Sequence, residues 1–250
     1  MSSGYHDHYL ESYWPEHPNN PDMWQDNVEL LSAYFLAAEK ILDHEDRRLS
    51  LVDISTGPCL APLMATMRCI DHAQLSDFDQ SNRERIVTSD IQYWREYAKE
   101  LVRLFPNQNL SADDLLVRLD LLRKEREPLN VDLRGSPIFL PDIVGPQSVE
   151  LLSMHFVVDS ISRTAEECFE LLGKAVEFIR PSGWLLLSAL IGSEGWQLGD
   201  ETEPSPNLAE AQFDEFFEKH SIEVVTRTRS VHKPKQIYDG CWTVFLAKKQ

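Results

Sequence analysis

Two aspartates separated by one β-α-β half-unit mark where this chain could grip a nucleoside. Asp53 closes the apolar run LSLVDI at 49–54, and the turn STGP follows at once, with Gly57 able to bend the backbone close to a ligand. The next run, AQLSDF, ends near Asp77, where a strand-terminal acid can accept hydrogen bonds from both hydroxyls of a ribose. A dinucleotide asks for more, because its pyrophosphate wants the bare amides of a GxGxxG turn. Here the turn has one glycine, and Pro58 lacks an N–H. S-adenosylmethionine carries no phosphate and tolerates such a turn, so the residues point to that cofactor and away from NAD.

These acids need a sheet to hold them at one edge. Between Met23 and Leu42 the positions Val28, Leu31, Phe35, Ala38 and Leu42 recur at helical spacing, and a second helix is predicted from about Ala61. A third starts around Asp79 to Asn82, where Asp, Ser and Asn supply capping groups. Residues 90 to 127 read as a helical excursion with Tyr93, Tyr97, Leu101 and Leu104 on one stripe. LNVDL (129–133), VELLSMHFVV (149–158) and WLLLSAL (184–190) read as strands, with a helix from Glu167 to Arg180 stopped by Pro181, Ser182 and Gly183. A loop (192–208), the helix NLAEAQFDEFFEKH and the β-rich stretches IEVVTRTRS and CWTVFLAKK complete the chain. The acidic residues from Glu210 to Glu218 form the outer face of that helix, opposite Leu208, Phe213, Phe216 and Phe217.

The expectation is therefore one α/β domain over residues 1–250: an N-terminal arm and helical cap (1–47) and a Rossmann-like core (48–250). Its doubly wound, mostly parallel sheet should have seven strands and an antiparallel C-terminal strand. Ligands in such sheets bind beyond the carboxyl ends of the strands.

Composition narrows the partners. The chain has 250 residues, and 41 acidic against 24 basic side chains give a formal charge of −17, which repels a phosphate backbone. Nucleic acid is discounted and a small-molecule substrate expected. No stretch approaches the roughly 20 apolar residues of a membrane helix, and MSSGYHDHYLESYW lacks the regions of a signal peptide, so a soluble, cytoplasmic protein is expected. Cys59, Cys69, Cys168 and Cys241 have no paired spacing and read as free thiols. His6, Asp7 and His8 are ligand types without a helpful fourth partner, so no metal is expected. Asp22, Asp200, Glu201 and Glu203 read as solvated surface.

At this level the chain resembles the family of nicotinamide, phenylethanolamine and indolethylamine N-methyltransferases, small class I enzymes with a helical cap over the cofactor. HYLESYW resembles its YLxxYY arm, LVDISTGP its LxDIGSGP turn, SDFDQSN its TDYxxxN motif, NVDL its CDV and RPSGWLLL its KPGGxLV strand. The resemblance implies that Tyr9 and Trp14 close over S-adenosylmethionine, that Ser55, Thr56, Gly57 and Cys59 line its methionine end, and that Asp77 holds the ribose beside Asn82. It further implies adenine contacts from Asp132 and Leu133, and places Ser153 and Met154 near the sulfonium and Trp196, in WQLGD, over the substrate. Two departures stand out: Ser55 replaces a motif glycine, and Ser188 stands where the family commonly has an acid that engages the substrate's amine or amide.

Two reactions fit these residues. In methyl transfer, a nitrogen of an amine or heteroaromatic acceptor attacks the cofactor's methyl in line; Trp196 shapes the acceptor pocket, and Tyr5, Ser188, Glu194 or His155 orient the acceptor or take its proton. His155 also has a plainer reading, as a satisfied histidine at the rim of a strand. In cyclisation, S-adenosylmethionine is itself the substrate: its α-amine attacks its γ-carbon, giving methylthioadenosine and azetidine-2-carboxylate. Methyl transfer is the expectation of the two. A non-catalytic binding domain is the alternative outside enzymes, and the intact cofactor motifs argue against it.

Overall fold

The computed structural model describes residues 9–10, 13–15, 20–135, 145–198, 201–230 and 240–250. Its strands are β1 (Leu49–Ile54), β2 (Ile70–Leu75), β3 (Val149–His155), β4 (Ile179–Ile191), β5 (Gly195–Leu198), β6 (Glu201–Pro204), β7 (Ile222–Arg229) and β8 (Cys241–Lys249). Six of them form the central sheet in the order β2-β1-β3-β4-β8-β7, in which only β8 runs against the rest. This is the mostly parallel sheet with an antiparallel C-terminal strand that the sequence predicts.

Four of the helices start at a residue whose side chain caps them. In α1 (Pro21–His44) the Asn20 side chain accepts from Met23 N–H, and Pro21 occupies a first-turn position where no intrahelical N–H is missed. The short α2 (Ala61–Thr66) follows the β1 turn, and Asp79 caps α3 (Gln80–Thr88) by accepting from Ser81 N–H. The excursion folds as α4 (Arg95–Leu104) and α5 (Ala112–Lys124), the latter capped by Ser111. Then come α6 (Val158–Ile161), α7 (Ala165–Val176) and α8 (Glu210–Lys219).

The helices divide between two cores, one on each face of the sheet. Tyr34, Phe35 and Ile41 of α1 share one with Trp94, Tyr97 and Leu119. Leu171 and Leu172 of α7 share the other with Phe213, Phe216 and Phe217 of α8, which confirms the apolar face read for that helix. Among the described residues no helix is long and apolar enough to cross a membrane.

Three expectations change. Among the described residues the sheet has six strands, not seven, because LNVDL makes only one bridge, Leu129 to Ser76. Pro128 ahead of it offers no N–H, and after it the chain turns where Asp132 Oδ1 accepts from Arg134 N–H, so pairing stops at Leu129. The helix expected to reach Arg180 ends at Val176, because Val149 N–H takes the Phe178 carbonyl and draws the chain into β4 from Ile179. Pro181 and Gly183 are absorbed by a register shift between the pairs Val149–Ile179 and Leu151–Trp184. The loop expected at 192–208 contains the antiparallel pair β5–β6.

Candidate functional site

The carboxyl ends of β2, β1, β3 and β4 and the beginning of antiparallel β8 share one edge of the sheet, and a cavity of about 360 Å³ runs along it. At the β2 end, Asp77 is buried and organised by its neighbours. Its Oδ2 accepts from Gly57 N–H at 2.9 Å; its Oδ1 accepts from Asp79 N–H at 2.8 Å and from Asn82 Nδ2 at 3.1 Å. Burial raises its pKa, against the pull of these hydrogen bonds. Asn82 spends its amide on Asp77, and its buried Oδ1 has no hydrogen-bond partner among the described residues. Such an orphan acceptor beside a carboxylate suits a ligand carrying hydroxyl or ammonium donors.

Gly57 holds φ +59°, and a Cβ there would meet nothing within 4 Å, so the turn presents bare backbone to open space. Ser55 holds the same left-handed φ of 59° without being glycine, a conformation that costs an L-residue about 1–2 kcal/mol. Ser55→Gly is therefore expected to raise the unfolding free energy by about 1 kcal/mol in a denaturant titration. A loss of stability would mean that the hydroxyl contributes more than the strain costs.

Asp53 stands behind this turn. It accepts from Thr56 Oγ1 at 2.6 Å and from the Ser153 hydroxyl, and burial pushes its pKa up to about 6. His155 Nε2 lies 3.4 Å from Asp53 Oδ2, and its Nδ1 lies 3.4 Å from Ser188 Oγ. Burial pushes the imidazole pKa down to about 3, so the ring is neutral at physiological pH with both nitrogens turned to protein groups. That arrangement suits an orienting residue better than a base. Ser188 is fully buried, where its Oγ accepts from Tyr34 Oη at 2.8 Å.

The arm is pinned over the cavity by its backbone. The carbonyls of Tyr13, Trp14 and Pro15 accept from Asn27 Nδ2 at 2.7 Å, Tyr93 Oη at 2.6 Å and Tyr97 Oη at 2.8 Å. Tyr9 stacks on Tyr13 with centroids 5.0 Å apart, and Tyr13 meets Trp196 edge to face at 6.1 Å.

Most sequence-derived candidates meet in this cavity. Ser55, Thr56, Gly57 and Cys59 line it from the turn, and Asp77 and Asn82 from the β2 end. Tyr9 and Trp14 cover it, and His155 and Trp196 form part of its wall. The others stand apart. Met154 and Leu133 are buried in the second core, and Ser153 turns to Asp53. Asp132 accepts from its own turn, because the missing strand leaves it short of the cavity. Ser188 is sealed behind Tyr34, and Glu194 is exposed on the loop after β4. Tyr5, His6, Asp7, His8 and Asp200 lie outside the described residues. Among those described, no group of three or more His, Cys, Asp or Glu could hold a metal.

The sequence reading missed Asp26, Tyr34, Phe78, Phe156 and Trp242, which also line the cavity. For Asp26 and Tyr34 a signal existed: with Leu30 they stand at i, i+4 and i+8, one stripe round from the apolar face of α1.

A model of the NNMT/PNMT/TEMT family matches residues 5–250. The chain belongs to this family. Its members use S-adenosylmethionine as methyl donor, and the orphan Asn82 oxygen, the Asp77 carboxylate and the open Gly57 backbone fit that cofactor. No protein of curated function matches by sequence.

Solved structures share the fold at low identity. Magnesium protoporphyrin IX methyltransferase from Synechocystis, crystallised with S-adenosylhomocysteine, has a TM-score of 0.59 and 11% identity, covering 100% of this chain and 95% of its own. The 1,6-didemethyltoxoflavin N1-methyltransferase of Burkholderia thailandensis, crystallised with its substrate and S-adenosylhomocysteine, has a TM-score of 0.52 and 12% identity over 98% of this chain and 87% of its own. The cyclase SpnF, which catalyses a 4+2 cyclisation, has a TM-score of 0.53 and 11% identity over 88% and 81%.

Proposed function

We propose that this family member transfers a methyl group from S-adenosylmethionine to a nitrogen of a small-molecule amine or heteroaromatic acceptor. The observation that carries the reading is the cavity's division. A ribose-type acid, Asp77, stands at the β2 end with the Asn82 oxygen beside it, and the aromatic wall includes Trp196, whose buried Nε1, like that oxygen, has no hydrogen-bond partner among the described residues. The cofactor supplies a methyl group already activated by the sulfonium.

The protein's work is then alignment and exclusion of water. Asp77 and Asn82 hold the ribose, and the backbone at Gly57 admits the methionine end. Tyr9, Tyr13 and Trp14 close the top, where the three carbonyl bonds from Asn27, Tyr93 and Tyr97 keep them in place. Trp196 packs the acceptor. A neutral nitrogen needs no strong base, which agrees with an imidazole at His155 that faces Asp53 and Ser188.

Cyclisation of S-adenosylmethionine to methylthioadenosine and azetidine-2-carboxylate is the second reading, favoured by two observations. Ser188 takes the place of the expected acceptor-binding acid and is sealed off. At about 360 Å³ the cavity lies near the lower end of the roughly 300–1,000 Å³ typical of small-molecule sites, tight for cofactor and acceptor together.

The deciding experiment incubates the protein with S-adenosylmethionine, first alone and then with an amine library, and identifies the nucleoside product by mass spectrometry. S-adenosylhomocysteine appearing only with an amine is the expected result. Methylthioadenosine and a four-membered-ring amino acid from the cofactor alone would replace methyl transfer by cyclisation.

A further inference from the structure

Ser55 carries a hydroxyl where the resembled turn motif has glycine, and it holds its left-handed φ of 59° at the wall of the cavity. Its side chain makes no hydrogen bond to another described residue. Backbone strain that serves no contact within the fold collects at positions that clamp ligands. The strand order β2-β1-β3 sets the end of β1 one strand spacing, about 4.8 Å, from β2, beyond which Asp77 stands. A chain that leaves a ribose held at Asp77 and follows the sheet edge therefore meets Ser55 next.

Such a chain, in S-adenosylmethionine, brings an α-carboxylate, and the cavity has few groups to receive one. Among the described residues lining it there is no lysine or arginine, whereas Asp26, Asp77 and Asp79 are acids. Asp26 stands on the β8 side, where its Oδ1 accepts from Trp242 Nε1 at 2.9 Å. The turn's own amides are committed: Thr56 N–H donates to the Ser76 carbonyl at 2.8 Å, Gly57 N–H donates to Asp77, and Pro58 has none. Neighbouring hydroxyls are committed too. Thr56 Oγ1 donates to Asp53, Tyr13 Oη to the Gln197 carbonyl and Tyr34 Oη to Ser188. An anion drawn from water into these surroundings is destabilised unless a donor meets it. A serine hydroxyl has one proton to give, and that of Ser55 is not yet given.

We infer that the Ser55 hydroxyl is the donor that receives the α-carboxylate of S-adenosylmethionine, and that the strained turn is kept for this contact. The inference rests on the ribose being held at Asp77, as proposed above, and it holds under methyl transfer and cyclisation alike. In either reaction a fixed carboxylate holds the methionine chain in place and so sets where the sulfonium lies in the cavity.

The plain alternative is that serine is simply small enough for the turn. Calorimetric titration with S-adenosylhomocysteine and with its decarboxylated analogue, which keeps nucleoside, thioether and amine, separates the two. Ser55→Gly and Ser55→Ala are each expected to weaken S-adenosylhomocysteine binding by about tenfold, as for one hydrogen bond to a charged group, and to leave the analogue within about twofold. Glycine also relieves the left-handed φ, so that variant should gain stability while it loses ligand, a combination that a folding defect does not produce. An alanine variant that binds S-adenosylhomocysteine like the wild type, or an equal loss for both ligands, would overturn the inference. The two readings also fail separately. Unchanged binding in Ser55→Ala beside weakened binding in Asp77→Asn would sink the role of Ser55 alone; the converse would sink the ribose contact alone. A wild-type protein that binds neither ligand would overturn both.

Discussion

Asp77→Asn is expected to weaken S-adenosylhomocysteine binding by about a hundredfold while the protein stays folded. The carboxylate already accepts from Gly57 N–H, Asp79 N–H and Asn82, and its proposed work is to accept two more hydrogen bonds from the ribose. Hydrogen bonds to a charged group contribute about 1.5–3 kcal/mol each, so losing most of two costs about 3 kcal/mol, which is a factor of a hundred or more. Asparagine is nearly isosteric and keeps one acceptor oxygen for the turn. Calorimetry on wild type and variant measures the ratio directly. An affinity within threefold of wild type would remove Asp77 from the ribose and leave it only the task of folding the turn.

The second large effect concerns stability and comes from a residue outside the cavity. Asp159, in α6, is 1% exposed; its Oδ2 accepts from Leu190 N–H at 2.8 Å and its Oδ1 has no partner among the described residues. Burial pushes its pKa from 3.8 up to about 7. Between those values the native state holds a proton that the unfolded state has released, so stability falls as pH rises through this window. Between pH 5 and pH 8 the loss attributable to Asp159 is about 3 kcal/mol, two pH units at about 1.4 kcal/mol each. His155, pushed down to about 3, acts in the opposite direction, and Asp53, pushed up to about 6, in the same one. The comparison must therefore be made between wild type and Asp159→Asn, which shares both. Urea titrations of the two at pH 5 and pH 8 are expected to diverge by about 3 kcal/mol, the variant being favoured at pH 8. Parallel curves would mean that Asp159 is already ionised throughout the range.

How far the sequence foretold all this depends on the range of the interactions involved. Strand ends and caps are local, and Asp53, Gly57, Asp77 and the Asp79 cap of α3 fall where spacing and capping chemistry put them. The seventh strand fails because apolar alternation in LNVDL does not register that Pro128 and the Asp132 turn leave a single residue free to pair. Ser188 reads as a cavity residue because the resembled family commonly has a substrate-binding acid there, yet its accessibility is decided by Tyr34, 154 positions away. Asp26 escapes for the same reason: the stripe carrying it is visible on α1, but nothing nearby says that β8 will stand opposite. Asp159 lies in an ordinary FVVDS segment, and only its burial makes it matter.

The reversed direction of β8 brings a residue from the end of the chain to the edge where all the other strands finish. Asp26 is among the first helical residues to be synthesised, and its indole partner follows 216 positions later. No amount of early helix formation can complete this end of the pocket, because the wall it needs has not yet been translated. The contact spans 216 positions of a 250-residue chain, so its closure comes late and slowly in folding. A chain that stalls before β8 thus has both the cap and the cofactor turn, and still lacks the Trp242 wall of the cavity.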